Sequence, residues 1–520
     1  MANKTLFNSF RGSHAPAATA LNEAGGAAYA MTPEQMLAQY AATGCMNSTF
    51  YASAEDQLET VLDLCGRVSP EYIARVALYC RREGSMKDLP AFLCAVLSVV
   101  SPGLMAEVFD RVIDSPKMLR NFVQIMRSGV VARKSLGSLP KRMVRQWLES
   151  RSDEAIFFGS VGNDPSMADI IKMVHPKPAT KSREALYGYL LGRDHDASAL
   201  PDIVTRYENY KAGVSADVPD VPFQMLTSLP LDTAAWKAIA TNGSWQMTRM
   251  NLNTFARHGV LEDPKMVKVI ANKLADPARV EKARVFPYQL LTAYTASSHA
   301  VPRPILRALE AALEISVRNV PEIPGKTYVF VDVSGSMHAP VTGHRRGSTT
   351  AVRCLDVAAL VAAAVLRKNP DAQVIPFHTE VVRTRLNPRD TVMTNADRLA
   401  RLPSGGTDCS APMAELNRRG ARADTVIYVS DCESWIDTSP GSWRRGTATM
   451  QEWSRLKTRC PKARMVCIDI QPYGTTQAPD RSDILNVGGF SDAVFRVISR
   501  FAASGSGAQH WVDVINEQSI

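Results

Sequence analysis

The sequence lacks any hydrophobic run long enough to cross a membrane. Its most apolar segments, residues 91–100 and 357–366, are ten residues long, whereas a membrane-spanning helix needs about 20 residues. Residues 1–14 also lack the apolar core of a secretion signal. We therefore expect a soluble cytoplasmic protein that does not associate with membranes.

Cysteine pairs are missing as well. The chain contains nine cysteines but no Cys-X-X-Cys motif, and Cys80 and Cys94 lie within apolar runs. In such runs a cysteine behaves as a small hydrophobic side chain. These features exclude the disulfide framework of a small secreted protein and indicate reduced thiols.

Neither sign of charge dominates the chain. The 60 basic and 51 acidic residues give a net charge of +9 over 520 residues, of which 45% are hydrophobic. Such a composition supports a buried core, and the length allows two or more domains of roughly 150 residues each. The small positive excess permits nucleic-acid binding but does not indicate it.

Residues 31–320 lack the alternation typical of strands and are predicted to form successive helices. A helix is expected after Ser69, a suitable N-cap, with Pro70 at its first position and Gly84 at its end. Similar helices are predicted at residues 89–100, 103–114, 139–150, 233–241, 262–275 and 302–318. Many short helices in one region indicate a stacked, HEAT-like repeat array rather than a single bundle.

The pattern changes at residues 320–325, where two prolines and a glycine end the helical region. Four β-branched segments follow, at residues 328–331, 373–377, 425–429 and 465–470, with predicted helices at 355–367 and 449–456. This alternation predicts a doubly wound α/β domain over residues 326–508. Residues 1–30 are predicted to be a flexible N-terminal arm, and residues 509–520 a C-terminal tail.

Two of the predicted strands end in an aspartate, Asp332 and Asp431. The carboxyl ends of parallel strands line one crevice of an α/β sheet, so both carboxylates are expected to converge there. Ser334 and Ser336 follow Asp332 at alternate positions, and the glycine between them permits a tight turn. Thr407, in a glycine-flanked loop, can bring a third hydroxyl to the same place.

This all-oxygen set predicts a site for a hard divalent cation. We expect Mg²⁺ or Mn²⁺, with Ca²⁺ as a further candidate, rather than Zn²⁺. Two carboxylates leave coordination positions for water or for an acidic group of a partner, which suits docking more than catalysis. The alternative is a capped helix start, in which Ser336 or Asp332 bonds free amides.

The five residues resemble the metal-ion-dependent adhesion site of von Willebrand factor A domains. That resemblance implies that Ser334, Ser336 and Thr407 contact the ion and that Asp332 and Asp431 act through water.

The chain as a whole resembles the Ro autoantigen (TROVE) family. Residues 404–413 and 430–435 are similar to two loops of that family, and residues 169–178 and 282–288 to two helical segments. The resemblance implies a monomeric ring of HEAT-like repeats closed by the von Willebrand-type domain. It also implies binding of small Y RNAs outside the ring, binding of single-stranded 3′ ends of misfolded RNA in its central hole, and work beside an exoribonuclease in RNA maturation, decay or quality control.

Partial support for RNA binding comes from residues 111–150, which contain nine basic and two acidic residues, a local net charge of +7. A concentrated basic segment is typical of phosphate binding, the alternative being a solvated helix face. His175 matches an RNA-contact position of the family, with a structural role as the alternative. The candidate RNA-binding residues are Arg127, Arg133, Lys134, Lys141, Arg142, Arg145, Lys172, His175, Arg249 and Arg284.

The sequence departs from the family at residues 157–164. Family members carry basic residues there, on a helix that meets Y RNA, whereas this segment contains neither Lys nor Arg. Either a different RNA shape is recognised, or the contacts come from elsewhere.

Three functions are open to a chain with these features. The first is a non-catalytic RNA-binding ring, and the second is a protein-interaction scaffold whose metal site docks an acidic residue of a partner. The third is a metal-dependent nuclease. The sequence offers a nuclease neither a second carboxylate cluster for a paired metal nor a recognisable nucleophile–base pair. His338 is expected at the rim of the metal site rather than as a general base.

Overall fold

The computed structural model describes residues 15–43, 52–285, 287–297, 299–318, 320, 322–341, 352–436, 446–471, 473–489, 494, 498, 501 and 511–520. The chain forms two compact units. The helical unit comprises Ser69–Ala283, Ser297–Leu309 and Gln518–Ile520. The sheet unit comprises Met1–Val68, Arg284–Ala296 and Glu310–Glu517.

Nineteen described α-helices precede the main sheet in the sequence. They are α1 (Pro33–Thr43), α2 (Ala54–Arg67), α3 (Pro70–Arg82), α4 (Asp88–Val100), α5 (Pro102–Val112), α6 (Pro116–Ser128), α7 (Ser138–Ser150), α8 (Asp153–Phe158), α9 (Met167–Val174), α10 (Lys181–Leu191), α11 (Asp202–Lys211), α12 (Phe223–Leu226), α13 (Thr233–Asn242), α14 (Trp245–Met250), α15 (Leu252–Arg257), α16 (Pro264–Ala275), α17 (Pro277–Ala283), α18 (Pro287–Thr295) and α19 (Arg303–Ser316).

The helical unit confirms the predicted helical region. The Ser69 hydroxyl accepts a 3.2 Å hydrogen bond from the Tyr72 amide, so α3 begins with the expected cap. Helix α4 is buried from Leu89 to Ser98, and it packs against α3, α5 and α6. Helix α7 in turn contacts α5 and α9. Packing between near neighbours in the sequence is typical of a helical-repeat array.

The main sheet confirms the predicted α/β domain. Its strands are β3 (Thr327–Asp332), β4 (Gln373–Phe377), β5 (Thr425–Ser430), β6 (Arg464–Asp469) and β8 (Ile484–Gly488). They are all parallel, in the order β4-β3-β5-β6-β8. The helices of this part are α20 (Cys354–Lys368), α21 (Val392–Ala400), α22 (Ala411–Arg418), α23 (Ala448–Arg459) and α24 (Trp511–Asn516).

Strands β3 and β5 are buried along their whole length, because helices cover both faces of a doubly wound sheet. The rings of Phe330 and Tyr428 meet edge to face in the core, with their centroids 4.8 Å apart. The sheet therefore places the ends of β3 and β5, and the loops that follow them, side by side.

The N-terminal segment has more structure than the expected flexible arm. Strands β1 (Ala20–Leu21) and β2 (Ala27–Ala30) form a hairpin, and β2 pairs with β7 (Thr475–Thr476). Gly26 fits closely against the Ser434 carbonyl, where a Cβ atom would collide. Gly26 thus allows the hairpin to lie against the loop after β5, a contact that local composition does not reveal. Residues 1–14 lie outside the described residues.

Two other segments also differ from expectation. Helices α1 and α2 belong to the sheet unit, so the helical unit begins at Ser69 and not at residue 31. Helix α1 packs on β8 because Gly488 lets Gln39 approach the strand closely. In the expected C-terminal tail, Trp511 and Ile515 are buried on one face of α24. Their four-residue spacing places them on the same side of a helix.

No helix within the described ranges is both long and apolar enough to cross a membrane. The described cysteines are free thiols, and all of them are buried except Cys460, which is half-buried. Burial raises the pKa of Cys65 to about 12, so this thiol stays protonated at neutral pH. Cys45 lies outside the described residues.

Candidate metal centre and candidate RNA interface

Asp332 ends strand β3, and both of its carboxylate oxygens are held in place. Oδ1 accepts a 2.8 Å hydrogen bond from the Ser334 amide, and Oδ2 accepts a 2.6 Å bond from the Ser430 hydroxyl. The neighbouring Val333 amide donates to the Phe377 carbonyl at 2.8 Å. The carboxylate is therefore oriented by the strand ends and the loop around it.

The two loops that carry the three hydroxyl groups are hydrogen-bonded to each other. Ser334 Oγ lies 3.3 Å from Ser336 Oγ. The Gly335 amide donates to the Gly405 carbonyl at 2.9 Å, which joins this loop to the one that carries Thr407. All five predicted metal ligands are buried, and the most exposed, Ser336, is only 7% accessible.

Trp435 closes over the Thr407 loop. Its amide donates to the Thr407 carbonyl at 3.3 Å. A Cβ at Gly406 would lie 2.6 Å from the indole Nε1, so only glycine fits beneath this ring. The indole is nevertheless 46% exposed. The loop geometry thus depends on glycine and leaves an aromatic side chain at the surface.

The two aspartates have unusual titration. Burial raises the pKa of Asp332. Burial, followed by the charge of Asp332, raises the pKa of Asp431 to about 7. A cation between the carboxylates would reverse both effects, because it would replace repulsion and lost hydration with attraction.

The donor set fits a hard divalent ion. Two carboxylates and three hydroxyls provide oxygen ligands only, which Mg²⁺ prefers. Within the described ranges, no group of three or more His, Cys, Asp or Glu side chains is placed to share an ion. The helix-cap alternative is met only in part: Asp332 accepts the Ser334 amide, whereas the short turn Ser336–His338 has Gly335 at its N-cap and no side-chain cap. His338 is exposed, with Nδ1 3.1 Å from an Arg353 nitrogen.

Six of the ten candidate RNA-binding residues are exposed on neighbouring elements of the helical unit. We call them the basic cluster: Arg127, Lys134, Lys141, Arg142, Lys172 and His175. They lie on α6, α7 and α9 or in the loops that follow α6 and α9. The pKa of Asp169 is lowered by hydrogen bonds from Ser166 and then by the charges of Lys172 and Arg127. Two residues of the basic cluster, on different helices, therefore lie close enough to influence the charge of the same carboxylate.

The other candidates are placed differently. Arg133 donates to the Ser98 carbonyl at 2.7 Å, and Arg145 donates twice to the Val174 carbonyl, at 2.8 and 3.1 Å. These half-buried arginines connect helical segments. Arg249 is buried, with 8% exposure, so the structure does not bring it to the surface. Arg284 is exposed but belongs to the sheet unit.

Comparison with known proteins covers both parts of the chain. Residues 169–303 match the TROVE domain model, and residues 326–502 match the model of the Ro60 vWA domain. The RNA-binding protein RO60 of Deinococcus radiodurans is 25% identical over 92% of this chain and 94% of its own length. The chain belongs to the Ro (TROVE) family.

A second member of the Ro family, the RNA-binding protein RO60 of Caenorhabditis elegans, is 24% identical over 50% of this chain and 40% of its own length. The crystal structure of the Deinococcus radiodurans RO (RSR) protein is similar to this chain, with a TM-score of 0.61 and 21% sequence identity. The similar region includes 91% of this chain and 99% of the Deinococcus chain. That likeness shows that the Ro fold is shared.

The structure places a cation beside residues 157–164, a segment that contains neither Lys nor Arg. Arg120, on α6, lies against the segment 157–164. It donates to the Gly159 carbonyl at 3.4 Å, and a Cβ at Gly162 would lie 2.6 Å from its Nη1. Arg120 is one of the nine basic residues of the segment 111–150, but no local pattern places it beside residues about 40 positions away.

Two residues near the metal centre were also missed. Ser430 orients Asp332, and its position directly before Asp431 at a strand end is the signal that could have revealed it. Glu433 is fully buried, and its Oε2 accepts a 2.8 Å bond from the Glu23 amide. Burial, and then the charge of Asp431, raises the pKa of Glu433 to about 9. No local signal connects residues 410 positions apart.

Proposed function

We propose that this protein binds RNA without cleaving it and that the basic cluster contacts the phosphates. The observation that carries the proposal is the exposure of six basic or imidazole side chains on the packed helices α6, α7 and α9. Cations grouped on one surface attract phosphates and release condensed counterions on binding. The naming of two relatives as RNA-binding proteins supports the same function.

The proposed ligands are single-stranded 3′ ends of structured or misfolded RNA, together with small Y-type RNA. Resemblance to the Ro family suggests this choice, and the position of Arg120 beside Gly162 supports a phosphate contact in the segment that lacks basic residues. We further propose that the protein acts as a monomer in the cytoplasm, beside an exoribonuclease, in RNA quality control, maturation or decay.

We also propose that Asp332, Ser334, Ser336, Thr407 and Asp431 hold one Mg²⁺ ion. The ion would supply a positive charge with open coordination positions for an acidic group of a partner. The support is a buried set of five oxygen-bearing side chains on hydrogen-bonded loops.

RNA binding can be tested by fluorescence anisotropy with a labelled hairpin that carries a single-stranded 3′ tail. Binding should exceed that of the same hairpin with a blunt end. The variant Lys141→Gln/Arg142→Gln should bind the tailed hairpin more weakly. The control Lys265→Gln/Lys268→Gln removes two exposed charges from α16 and should bind normally. If both double variants bind the tailed hairpin equally well, the basic cluster is only a solvated helix face. If the unsubstituted protein binds no RNA, the result supports the protein-scaffold hypothesis.

Magnesium binding can be tested by titration calorimetry. Asp332→Ala should abolish Mg²⁺ binding while the helical content stays unchanged. Asp371 is an exposed carboxylate of the same unit, so Asp371→Ala serves as the control and should bind Mg²⁺ normally. Unchanged affinity in the Asp332→Ala variant would refute the assignment.

A further inference from the structure

A groove of about 980 Å³ runs beside strand β4, at the edge of the main sheet. Strand β4, the segment 379–386 after it, and helix α22 form its walls. None of the five candidate metal ligands lines the groove, so it is separate from the metal centre. We call it the arginine groove, after Arg383, Arg385, Arg418 and Arg419 in its wall.

Arg383 and Arg385 have exposed guanidinium groups that can bind a ligand. Both are exposed, whereas Val382, Thr384 and Leu386 are half-buried. This alternation indicates an extended chain with both arginines on the same side. Among the described residues, neither guanidinium has an ion-pair partner. Their donors are therefore free to bind an anion.

The other two arginines are held together by one carboxylate. Arg418 donates to Glu415 through two nitrogens at 2.7 Å, and Arg419 donates at 2.6 Å. These bonds lower the pKa of Glu415 to about 2, so the carboxylate stays charged and keeps both guanidiniums in the wall. Glu380 is the second acidic residue of the lining. Four arginines against two carboxylates leave the groove with a net charge of +2.

The floor of the groove is apolar. Leu366 and Ile375 are buried there, and Val374 and Leu386 are half-buried. A cationic wall above an apolar floor suits a chain with alternating phosphates and bases. Proteins bind single-stranded nucleic acids in positively charged grooves that follow the backbone.

The edge of β4 is poorly suited to pairing with a peptide strand. Pro376 has no amide hydrogen to donate. Its carbonyl already accepts a 2.8 Å bond from the Val382 amide, and Phe377 pairs with Val381. Only residues 373–375 are left for a new strand, which is at the short limit of strand length. Side chains therefore determine which ligand fits, and the arginines favour phosphates.

We propose that the arginine groove is a second RNA-binding surface, which holds a single-stranded segment with successive phosphates on Arg383 and Arg385. Two residues of extended chain span about 6.6 Å, which is comparable to the step between phosphates in an extended strand. Each guanidinium can bind a phosphate through two parallel hydrogen bonds. The inference rests on the proposed RNA binding but involves different residues in the other compact unit.

The test uses the full-length protein and a labelled 20-nucleotide oligouridylate, with affinity measured by anisotropy over a range of salt. In Arg383→Gln/Arg385→Gln, affinity at low salt should fall roughly tenfold, and the slope of log affinity against log salt should flatten by about 1.4, for two lost phosphate contacts. The control Arg389→Gln/Arg422→Gln removes two exposed arginines outside the groove and should behave as the unsubstituted protein. Melting curves check that both variants are folded.

The outcomes separate this inference from the proposed function. If the unsubstituted protein binds RNA and Arg383→Gln/Arg385→Gln keeps the same affinity and salt slope, the groove does not bind RNA. The proposed RNA binding by the basic cluster is then unaffected. Absence of RNA binding by the unsubstituted protein would overturn both. A third arm uses oligoglutamate: binding that requires Arg383 and Arg385, with RNA binding unaffected, would assign the groove to an acidic peptide instead. Photocrosslinking of 4-thiouridine RNA to residues 379–386 is the expected direct evidence.

Discussion

The hydroxyl of Ser430 donates a 2.6 Å hydrogen bond to Oδ2 of Asp332. The two residues end neighbouring parallel strands, directly after the register pair Val331 and Val429, so the sheet brings donor and acceptor together. The Ser334 amide holds the other carboxylate oxygen at 2.8 Å. Asp332 is thus held by hydrogen bonds from supporting residues, as the ligands of known metal sites are.

Replacing Ser430 with alanine should weaken Mg²⁺ binding about tenfold, because loss of a supporting hydrogen bond commonly costs a metal site 10- to 100-fold in affinity. Calorimetry with Mg²⁺ measures the effect. Ser454→Ala, which removes a serine hydroxyl bonded within α23, provides the control and should bind Mg²⁺ normally. Equal affinities in the two variants would mean that Ser430 does not support the site.

Magnesium should stabilise the protein more at about pH 8 than at about pH 5. Burial raises the pKa of Asp431 and of Asp469 to about 7, from the ordinary value of 3.8. Without the ion, these carboxyls contribute stability that is fully present below pH 3.8 and is lost as the pH rises through 7. Bound Mg²⁺ offsets the loss at Asp431, because it requires the charged carboxylate.

Thermal melting with Mg²⁺ and with a chelator, across this pH range, measures the difference. In Asp431→Asn the group no longer titrates, so the Mg²⁺-dependent shift in melting temperature should be small at every pH. A shift of the unsubstituted protein that is independent of pH would contradict the assignment of Asp431 as a ligand.

RNA affinity should depend on salt in proportion to the cations of the basic cluster. If Arg127, Lys134, Lys141, Arg142 and Lys172 each contact a phosphate, the basic cluster should contribute about −3.5 to the slope of log affinity against log salt on a single strand. Removing Lys141 and Arg142 should change that contribution to about −2.1. A slope unaffected by these substitutions would place the RNA contacts elsewhere.

Two arginines of α7, three positions apart, should contribute to different properties: Arg145 to stability and Arg142 to RNA binding. Arg145→Met removes both hydrogen bonds to the Val174 carbonyl and should lower the free energy of unfolding by about 1.5–3 kcal/mol. Arg142 is exposed, so Arg142→Met should change stability by less than about 0.5 kcal/mol while weakening RNA binding. Urea denaturation provides the comparison. Equal destabilisation would show that the Arg145 bonds do not hold α7 to α9.

Purified protein should not cleave RNA in the presence of Mg²⁺, because the proposed ion binds an acidic group of a partner and does not take part in catalysis. Incubation of labelled RNA followed by gel electrophoresis tests this directly. Mg²⁺-dependent cleavage that disappears in Asp431→Ala would instead support the nuclease hypothesis.

The sequence predicted four of the five strands of the main sheet and missed β8. The four predicted strands are short, apolar and β-branched between turn residues. The predicted strand at residues 425–429 corresponds to Thr425–Ser430, and that at 373–377 to Gln373–Phe377. The helix after Ser69 was also predicted with its cap, since the capping hydrogen bond and Pro70 depend only on neighbouring residues. These features share one physical basis: their stabilising contacts lie within a few positions of the chain.

The sequence by itself determined the helical and α/β regions and the five oxygen-bearing residues that resemble a metal site. Only the tertiary structure decided which cations are exposed: Arg249 is buried, Arg133 and Arg145 bond backbone carbonyls, and Arg120 lies beside Gly162. It likewise brought Glu23 to Glu433 and placed four arginines around one groove. Exposure and partner choice depend on packing between distant segments, whereas local patterns report only on neighbours in the chain.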